Sequence, residues 1–279
     1  MVTQEEEPTL GNNKITDIST LTGLSNLTRL WLHNNQITDI TPLVENTGIS
    51  GEINLKDNPL SNTALSTHIP ALIERGIKVE YDMAEGVVLF KDANLEKAIR
   101  DALGIPTELL KKEDLERLTR LEYNGFQLAE NKRIADLTGI EYCTKLTSLK
   151  LAYLSKNTKI SNIKPLSTLT NLKRLDFEAS NLTDISFLKT LVNLQKLNLG
   201  HNYPLSDISV LSNLNQLTDL ILLHNKISDI SPLQDLIQLT NLNLHVNYID
   251  SISSLSKLKN IISLTLSHNQ LNGIPAIKD

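Results

Sequence analysis

Cysteine is almost absent from this chain, since Cys143 is the single one in 279 residues. No disulfide can form within the chain, so the fold has to depend on packing alone, which suits a reducing compartment. No base accompanies the thiol in the segment "GIEYCTKL". We therefore interpret Cys143 as a small buried residue and not as a nucleophile.

An excess of positive charge is also missing, because 32 Asp and Glu residues outnumber 27 Lys and Arg residues and leave a net charge of -5. Binding to nucleic acid needs a basic stripe that matches the phosphates, so the sequence argues against nucleic acid as a partner. The longest apolar runs, at 86–90 and 220–223, are far shorter than the about 20 residues that cross a bilayer. We predict no integral membrane segment.

Motifs of catalysis are lacking as well. The sequence contains no Gly-rich phosphate loop, no H-x-x-x-H or C-x-x-C pair, and no Ser, His and Asp set in a nucleophile elbow. We predict that the protein is not an enzyme and has neither catalytic residues nor a cofactor.

What the sequence does have is an internal repeat. Its complete copies are spaced by 22 residues, except for one extra residue in "NYPLSD", and they begin at Leu172, Leu194, Leu217, Leu239 and Ile261. The copy that begins at Leu146 is longer because of an expansion at 152–159, and an earlier block at 27–43 has the same form. A period in the twenties built on L-x-x-L-x-L-x-x-N is typical of leucine-rich repeats.

Each position of the repeat has a physical reason. The "LxL" alternation predicts a short strand with one buried face. An asparagine at the ninth position can turn the chain inward while its amide satisfies backbone groups of the neighbouring repeat, and a serine at this place, Ser180, should weaken that ladder. The following "ITDI[ST]PL" supplies residues that cap short turns, so we expect turns or 3₁₀ segments on the return side. The asparagines concerned are Asn35, Asn202, Asn225, Asn247 and Asn269.

The unit "NxITDIxPLxxLTNLxxLxLxxN" resembles the 22-residue repeat of internalin-like bacterial leucine-rich repeat proteins, and is similar to that of the phosphatase-regulator repeat family. The resemblance covers roughly the whole chain apart from one interruption. It implies an α/β solenoid, that is, a right-handed superhelix with a concave parallel β-sheet and 3₁₀ segments or turns on the convex side. It also implies that the concave face binds other proteins.

The repeat pattern is interrupted between 58 and 120. Helical spacing at 65–73, closed by Gly76, predicts a helix and a last strand that end a first array. After a joint at 84–86, "VVLF" reads as a short strand, and a helix follows with Asp92 as N-cap and Gly104 as its end. A second short helix is expected near 111–118. We therefore predict array 1 at 1–83, a linker and helical N-terminal cap at 84–120, and array 2 at 121–279.

Array 1 begins in mid-repeat at Leu10, and array 2 ends in mid-repeat at Ile277. We hypothesise that the chain is a fragment of a longer array protein, or a gene product of one with a shifted start. The first residues, "MVTQEEEP", carry acids where an export signal has basic and then apolar residues. The resemblance implies secretion or a place on the cell surface if the chain is a fragment. The compartment of this chain and its oligomeric state stay open.

The histidines are the one group that invites a metal site. His201, His224 and His268 occupy the eighth position of their repeats and His245 the seventh. Parallel strands lie about 4.8 Å apart, so His201 and His224 should be neighbours. Imidazole is a common metal ligand, but no carboxylate or thiolate joins the column. We interpret these side chains as solvated turn residues and predict no metal site.

The outward positions of array 2 are polar at both ends and apolar in the middle. Ile221, Leu223 and Val246 form a small apolar centre, which at such a place favours an interface, although single aliphatic residues on a surface are also normal. Trp31 occupies the same column in array 1. The predicted partner-binding residues are Trp31, Arg174, Asp176, Glu178, Asn198, His201, Tyr203, Ile221, Leu223, His224, His245, Val246 and Tyr248.

These features predict a non-catalytic module that binds a protein partner through the concave face. One alternative is a cell-surface adhesin that binds glycan, which would favour exposed aromatic platforms, and the face offers few beyond Trp31, Tyr153, Tyr203 and Tyr248. Others are a regulatory fragment of a larger array protein, an enzyme within a longer polypeptide, and a structural spacer.

Overall fold

A computed structural model describes residues 9–83, 85–106, 108–154 and 160–273. The acidic start of the chain, Ala84 of the predicted joint, most of the expansion at 152–159 and the last repeat's end at Ile277 lie outside these residues. The described residues fall into two compact units, within Met1–Leu89 plus Thr107–Lys111 (unit 1) and within Phe90–Pro106 plus Lys112–Asp279 (unit 2). The three-part division of the sequence stays a proposal.

Unit 1 contains a parallel sheet. Its strands, in sheet order, are β1 (Arg29–Trp31), β2 (Glu52–Asn54) and β3 (Lys78–Glu80). The short helix α1 (Thr41–Glu45) separates β1 from β2 in the sequence. The leucines and isoleucines of the repeat pattern form one buried cluster beneath this sheet.

The helix that was expected to close array 1 is present. A π-helical turn, Ala64–His68, continues into α2 (Ile69–Glu74). The chain then reverses at Gly76, whose φ of 85° is a left-handed conformation that glycine adopts at little cost. Leu65, Ile69 and Leu72 are buried as their spacing predicts, whereas Ile73 is 49% exposed.

Unit 2 opens with two helices, α3 (Ala93–Leu103) and α4 (Lys112–Leu115). Asp92 caps α3 as predicted, since its Oδ1 accepts from the backbone N–H groups of Asn94 and Leu95 at 2.8 and 3.1 Å. Gly104 ends the helix in the left-handed conformation, with a φ of 70°. Helix α3 packs against α4 and the first strand of the unit.

The prediction of a strand at "VVLF" was wrong. Within unit 1, Val87 makes one isolated antiparallel bridge with Lys111, and the Val88 N–H donates to the Leu110 carbonyl at 2.9 Å. A short apolar run has the same sequence pattern whether its backbone pairs in a β-ladder or only packs beside a neighbouring segment.

Unit 2 continues as a seven-stranded parallel sheet in which every strand pairs with the next along the chain. The strands are β4 (Arg120–Asn124), β5 (Ser148–Ala152), β6 (Arg174–Asp176), β7 (Lys196–Asn198), β8 (Asp219–Ile221), β9 (Asn241–Asn243) and β10 (Ser263–Thr265). Equal repeat positions stand opposite one another, so Leu175, Leu197 and Leu220 form one buried row.

The return side of unit 2 consists of 3₁₀ segments, as the turn residues predict. They are Glu130–Lys132, Ile140–Tyr142, Lys164–Thr168, Ser186–Thr190, Ser209–Asn213, Ser231–Leu233 and Ser253–Lys257. Asp184, Asp207 and Asp229 each accept the N–H of a serine two residues later at 2.8 Å. Leucines from the strands and from these segments fill the space between them, and Cys143 is fully buried there. Burial raises the pKa of its thiol to about 12, in line with a structural role.

Buried asparagines join each repeat to the one before it. Asn202 Nδ2 donates to the carbonyls of Phe177 and Leu199 at 3.0 Å, and its Oδ1 accepts from the N–H groups of Ser180 and Leu182 at 3.0 Å. The donor bonds recur at the other predicted positions and at Asn58. The predicted ladder is confirmed.

This asparagine ladder has two weak steps. Ser180 Oγ reaches the Leu151 carbonyl and the Leu154 N–H only at 3.4 Å, as expected of the shorter side chain. The second step was not predicted: Asn225 Oδ1 is buried and has no hydrogen-bond partner among the described residues. The extra residue in "NYPLSD" is the cause, because the Leu205 N–H turns back to the Asn202 carbonyl at 2.8 Å.

Candidate recognition surface

The candidate site lies on the outward side of the unit 2 sheet, which we call the sheet face. It is formed by the third and fifth residues of each repeat, whose side chains alternate with the buried leucines, and by the seventh and eighth residues beyond the strand. The backbone therefore places side chains from neighbouring repeats next to each other. All predicted site residues except Trp31 belong to this unit; Trp31 lies half-buried on β1 of unit 1.

One end of the sheet face is a polar network. Asn198 Nδ2 donates to Asp176 Oδ1 at 3.2 Å and to Glu178 Oε2 at 3.4 Å, and Lys150 Nζ lies 3.9 Å from Asp176 Oδ2. Asp176 was expected to be exposed, but it is 6% accessible because these neighbours cover it. Arg174 is exposed at the rim. Buried, satisfied carboxylates of this kind hold a surface in place more than they attract a ligand.

Charge pairs continue across the strands. Lys196 Nζ lies 3.4 Å from Asp219 Oδ2, and Asn241 Nδ2 donates to Asp219 Oδ1 at 3.0 Å. Partial burial by itself would raise the pKa of Asp219, but hydrogen bonds from Thr218 and Asn241 and the charge of Lys196 outweigh it and lower the pKa. A depression of about 160 Å³ lies between these side chains and Ile221.

The apolar centre follows on β8 and β9. Ile221, Leu223 and Val246 are all half-buried. Leu223 rests on Gly200 of the preceding repeat, where an added Cβ would come within 3.2 Å of Leu223 Cγ. Glycine at this seventh position therefore makes room for the leucine. The arrangement predicted from the sequence, an apolar centre bordered by polar groups, is the arrangement of the described surface.

The eighth position is left-handed in unit 1 and in the repeats of unit 2 from Leu146 onward, which the sequence did not reveal. In unit 2 it is occupied by residues with φ between 52° and 59°, namely Tyr153, Ala179, His201, His224, Val246 and His268. Asparagine, aspartate and histidine are enriched in this conformation, whereas a β-branched residue there is an outlier. Val246, with a φ of 55°, is that outlier. Val246 belongs to the apolar centre, and strained backbone positions of this kind cluster at functional sites in general.

Four imidazoles form a continuous row, which we call the histidine row: His201, His224, His245 and His268. The rings of His201 and His224 stack with centroids 4.5 Å apart, which confirms the predicted contact. His245 meets His224 at 5.4 Å and His268 at 5.1 Å, both edge to face. The sequence alone did not extend the row this far, because His245 occupies the seventh position and the others the eighth.

Aromatic side chains border the row. Tyr203 is 60% exposed, and its ring lies 6.1 Å from the His201 ring. Tyr248 is 49% exposed on the next repeat but one. Within the described residues, no group of three or more His, Cys, Asp or Glu side chains is placed to hold a metal ion. No described helix is long and apolar enough to cross a membrane.

The parallel sheet, the 22-residue period, the buried asparagines and the 3₁₀ return side define a leucine-rich repeat solenoid. The family of leucine-rich repeats, in its two-copy form, matches residues 9–45 and 170–215, one stretch in each unit. The predicted fold class is confirmed. Leucine-rich repeats are generally modules of protein interaction.

Two solved structures of leucine-rich repeat proteins are similar to this chain. Internalin C2 from Listeria monocytogenes is 27% identical, with 68% of this chain and 91% of that chain covered and a TM-score of 0.52. The internalin InlF of the same organism is 29% identical over 94% of this chain and 67% of its own, with a TM-score of 0.47. A comparison with curated proteins gave no significant match. The chain is thus similar in repeat and fold to internalin-like bacterial leucine-rich repeat proteins, as its repeats predict.

Proposed function

We propose that the protein is a non-catalytic recognition module that binds a protein partner through the sheet face of unit 2. Ile221, Leu223 and Val246 are the anchors, and the predicted polar residues around them form the rim. Trp31 is a second candidate anchor in unit 1. The single observation that carries the proposal is Val246, a β-branched residue of the apolar centre that is kept at a φ of 55°.

Energetic considerations support this choice of anchors. Interfaces gain most of their free energy from a few apolar or aromatic side chains surrounded by polar groups that exclude water. Leu223 is fixed by its contact with Gly200, so little conformational entropy is lost when a partner covers it. The network of Asp176, Glu178 and Asn198 fixes the adjacent rim in the same way.

The test is a pull-down with the full chain as bait, followed by affinity measurement for whatever partner is recovered. We expect the double variant Ile221→Asp, Leu223→Asp to weaken binding about 100-fold or more, as loss of central anchors does. Its circular dichroism spectrum and melting temperature should stay close to those of the wild type, since both side chains are already half exposed.

A matched control exists on the same unit. Val192 and Ile237 are 46% and 51% exposed aliphatic residues in the turns between 3₁₀ segments and strands, away from the sheet face. The double variant Val192→Asp, Ile237→Asp adds the same charge and leaves the anchor residues unchanged. If this control loses the partner as fully as the anchor variant, or if neither loses it, the sheet face is not the binding surface.

A further inference from the structure

The histidine row joins four imidazole rings into one contact chain. Its centroid spacings of 4.5, 5.4 and 5.1 Å are shorter than the Debye length of about 8 Å at physiological ionic strength. Charges placed on these rings would therefore act on each other and on a common ligand. Imidazole in general gains a positive charge in mild acid, and a protonated row would be a linear cationic strip.

The nitrogen atoms of the row are largely available. Among the described residues, the ring nitrogens of His224 and His268 have no hydrogen-bond partner. His245 Nδ1 is 2.7 Å from Ser267 Oγ, which leaves its Nε2 without a partner in the same part of the chain. His201 Nδ1 is 3.4 Å from the Tyr203 hydroxyl. When doubly protonated, the row offers several N–H donors along one line.

Few other charges face the row. In the part of the chain that the structure describes, Glu178 is the acidic group within 4 Å, with its Oε1 3.9 Å from His201 Nε2 at one end of the row. Tyr203 is the further titratable group in contact, beside His201 and His224. The Glu178 carboxylate also accepts from Tyr153 and Asn198. The positive charge of a protonated row would thus be left without internal compensation over His224, His245 and His268.

We propose that the histidine row is an acid-activated site for carboxylates, which binds an acidic peptide segment of a partner at mildly acidic pH and releases it at neutral pH. The proposal rests on the proposed function, because the row borders the same sheet face. It goes further by naming the chemistry of the partner and a condition for binding. Imidazolium and carboxylate form charge-assisted hydrogen bonds, which are the stronger kind.

Burial and mutual repulsion both oppose the protonation of His224. Burial, and then the charges of His201, His245 and His268, lower the pKa of His224 below its usual value of about 6.5. A carboxylate seated over the row would favour its protonation. Glutamate side chains, with a pKa of about 4.3, are still largely charged at pH 5.

The probe is a fluorescent polyglutamate peptide titrated with the full chain at pH 5.0 and pH 7.5, with a polyglutamine peptide as the uncharged match. We expect binding of polyglutamate at pH 5.0 and a loss of about tenfold or more at pH 7.5. The variant His224→Gln, His245→Gln should lose a similar factor at pH 5.0. His33→Gln, which removes a histidine of unit 1, should bind like the wild type.

Equal affinity at the two pH values, equal affinity of polyglutamine, or full binding by the row variant would overturn the proposal. Ring resonances followed by NMR in the wild type give a second measurement that needs no variant. At pH 5.0, addition of polyglutamate should shift the ring resonances of the histidine row. Unchanged resonances would contradict the proposal. The anchor variant separates the two proposals: if it loses its partner at pH 7.5 while polyglutamate never binds, the proposed function stands and the acid-activated site falls.

Discussion

The eighth position of the repeat is left-handed in both units, yet the two units fill it differently. Unit 1 uses Asn12, Asn34 and Asp57, with φ between 53° and 58°. Asn34 Nδ2 donates to Asn12 Oδ1 at 2.8 Å, so this column stabilises itself across repeats. Unit 2 fills the same backbone position with tyrosine, alanine, histidine and valine.

The difference separates what the fold requires from what this chain adds. A left-handed residue at the eighth position is a demand of the turn, and asparagine or aspartate meets it at the lowest cost. Unit 2 keeps the turn while it replaces these residues with side chains that stack or are apolar. By contrast, asparagine occupies the ninth position in unit 1 and in the repeats of unit 2 from Leu194 onward, because its amide satisfies buried backbone groups there.

The largest effect is expected where the units agree. Asn202→Ala leaves two carbonyls and two N–H groups without their partner in a buried turn, and we expect a loss of about 3 kcal/mol in the free energy of unfolding. Asn202→Ser, which copies Ser180, should lose less. Denaturant unfolding followed by circular dichroism measures both.

Asn35→Ala in unit 1 is the matched change, and we expect about 2 kcal/mol because some of its partners are nearer solvent. The fluorescence of Trp31, the sole tryptophan of the chain, follows this unit. A loss below about 0.5 kcal/mol in either unit would show that the asparagines do not carry the ladder.

A middle-sized effect is expected where the units differ. Val246→Asn should raise the free energy of unfolding by about 1 kcal/mol, since asparagine tolerates the left-handed backbone and valine does not. The same variant should bind the partner of the sheet face less well. The opposing change, Asn34→Val, should cost unit 1 about 1–2 kcal/mol. A Val246→Asn variant that is less stable than the wild type would remove the argument from backbone strain.

The smallest effect is a dependence of stability on pH. The pKa of His224 is lowered in the folded state, so the unfolded chain binds the proton more readily below pH of about 6.5. Stability is therefore complete above that pH and declines as the pH falls toward the folded pKa, by less than about 1 kcal/mol for a half-exposed group. His224→Asn should flatten the decline. If the free energy of unfolding of this variant declines between pH 7.5 and pH 5 as steeply as that of the wild type, other residues cause the decline.

The sequence was sufficient for features that follow from the repeat register and insufficient for those that depend on local geometry. Strands, 3₁₀ segments, the asparagine ladder and the stacking of His201 on His224 all follow from a register that the period reveals. The features that escaped it include the burial of Asp176, the left-handed eighth position, the extension of the row through His245 and the lack of a partner for Asn225 Oδ1 among the described residues. Each depends on the orientation of one side chain or backbone segment relative to a neighbouring repeat. The spacing of residues along the chain does not determine that orientation.

The extra residue before Leu205 has a consequence for the way in which unit 2 opens. The stability of a repeat array depends on the interfaces between adjacent repeats, and local unfolding begins at the weakest interface. The interface that contains Asn225 lacks one of the buried hydrogen bonds that the other asparagines make. Amide protons of the repeats after residue 217 should therefore exchange with deuterium as a cooperative block of their own, ahead of those in β5 to β7. This block contains the apolar centre and most of the histidine row.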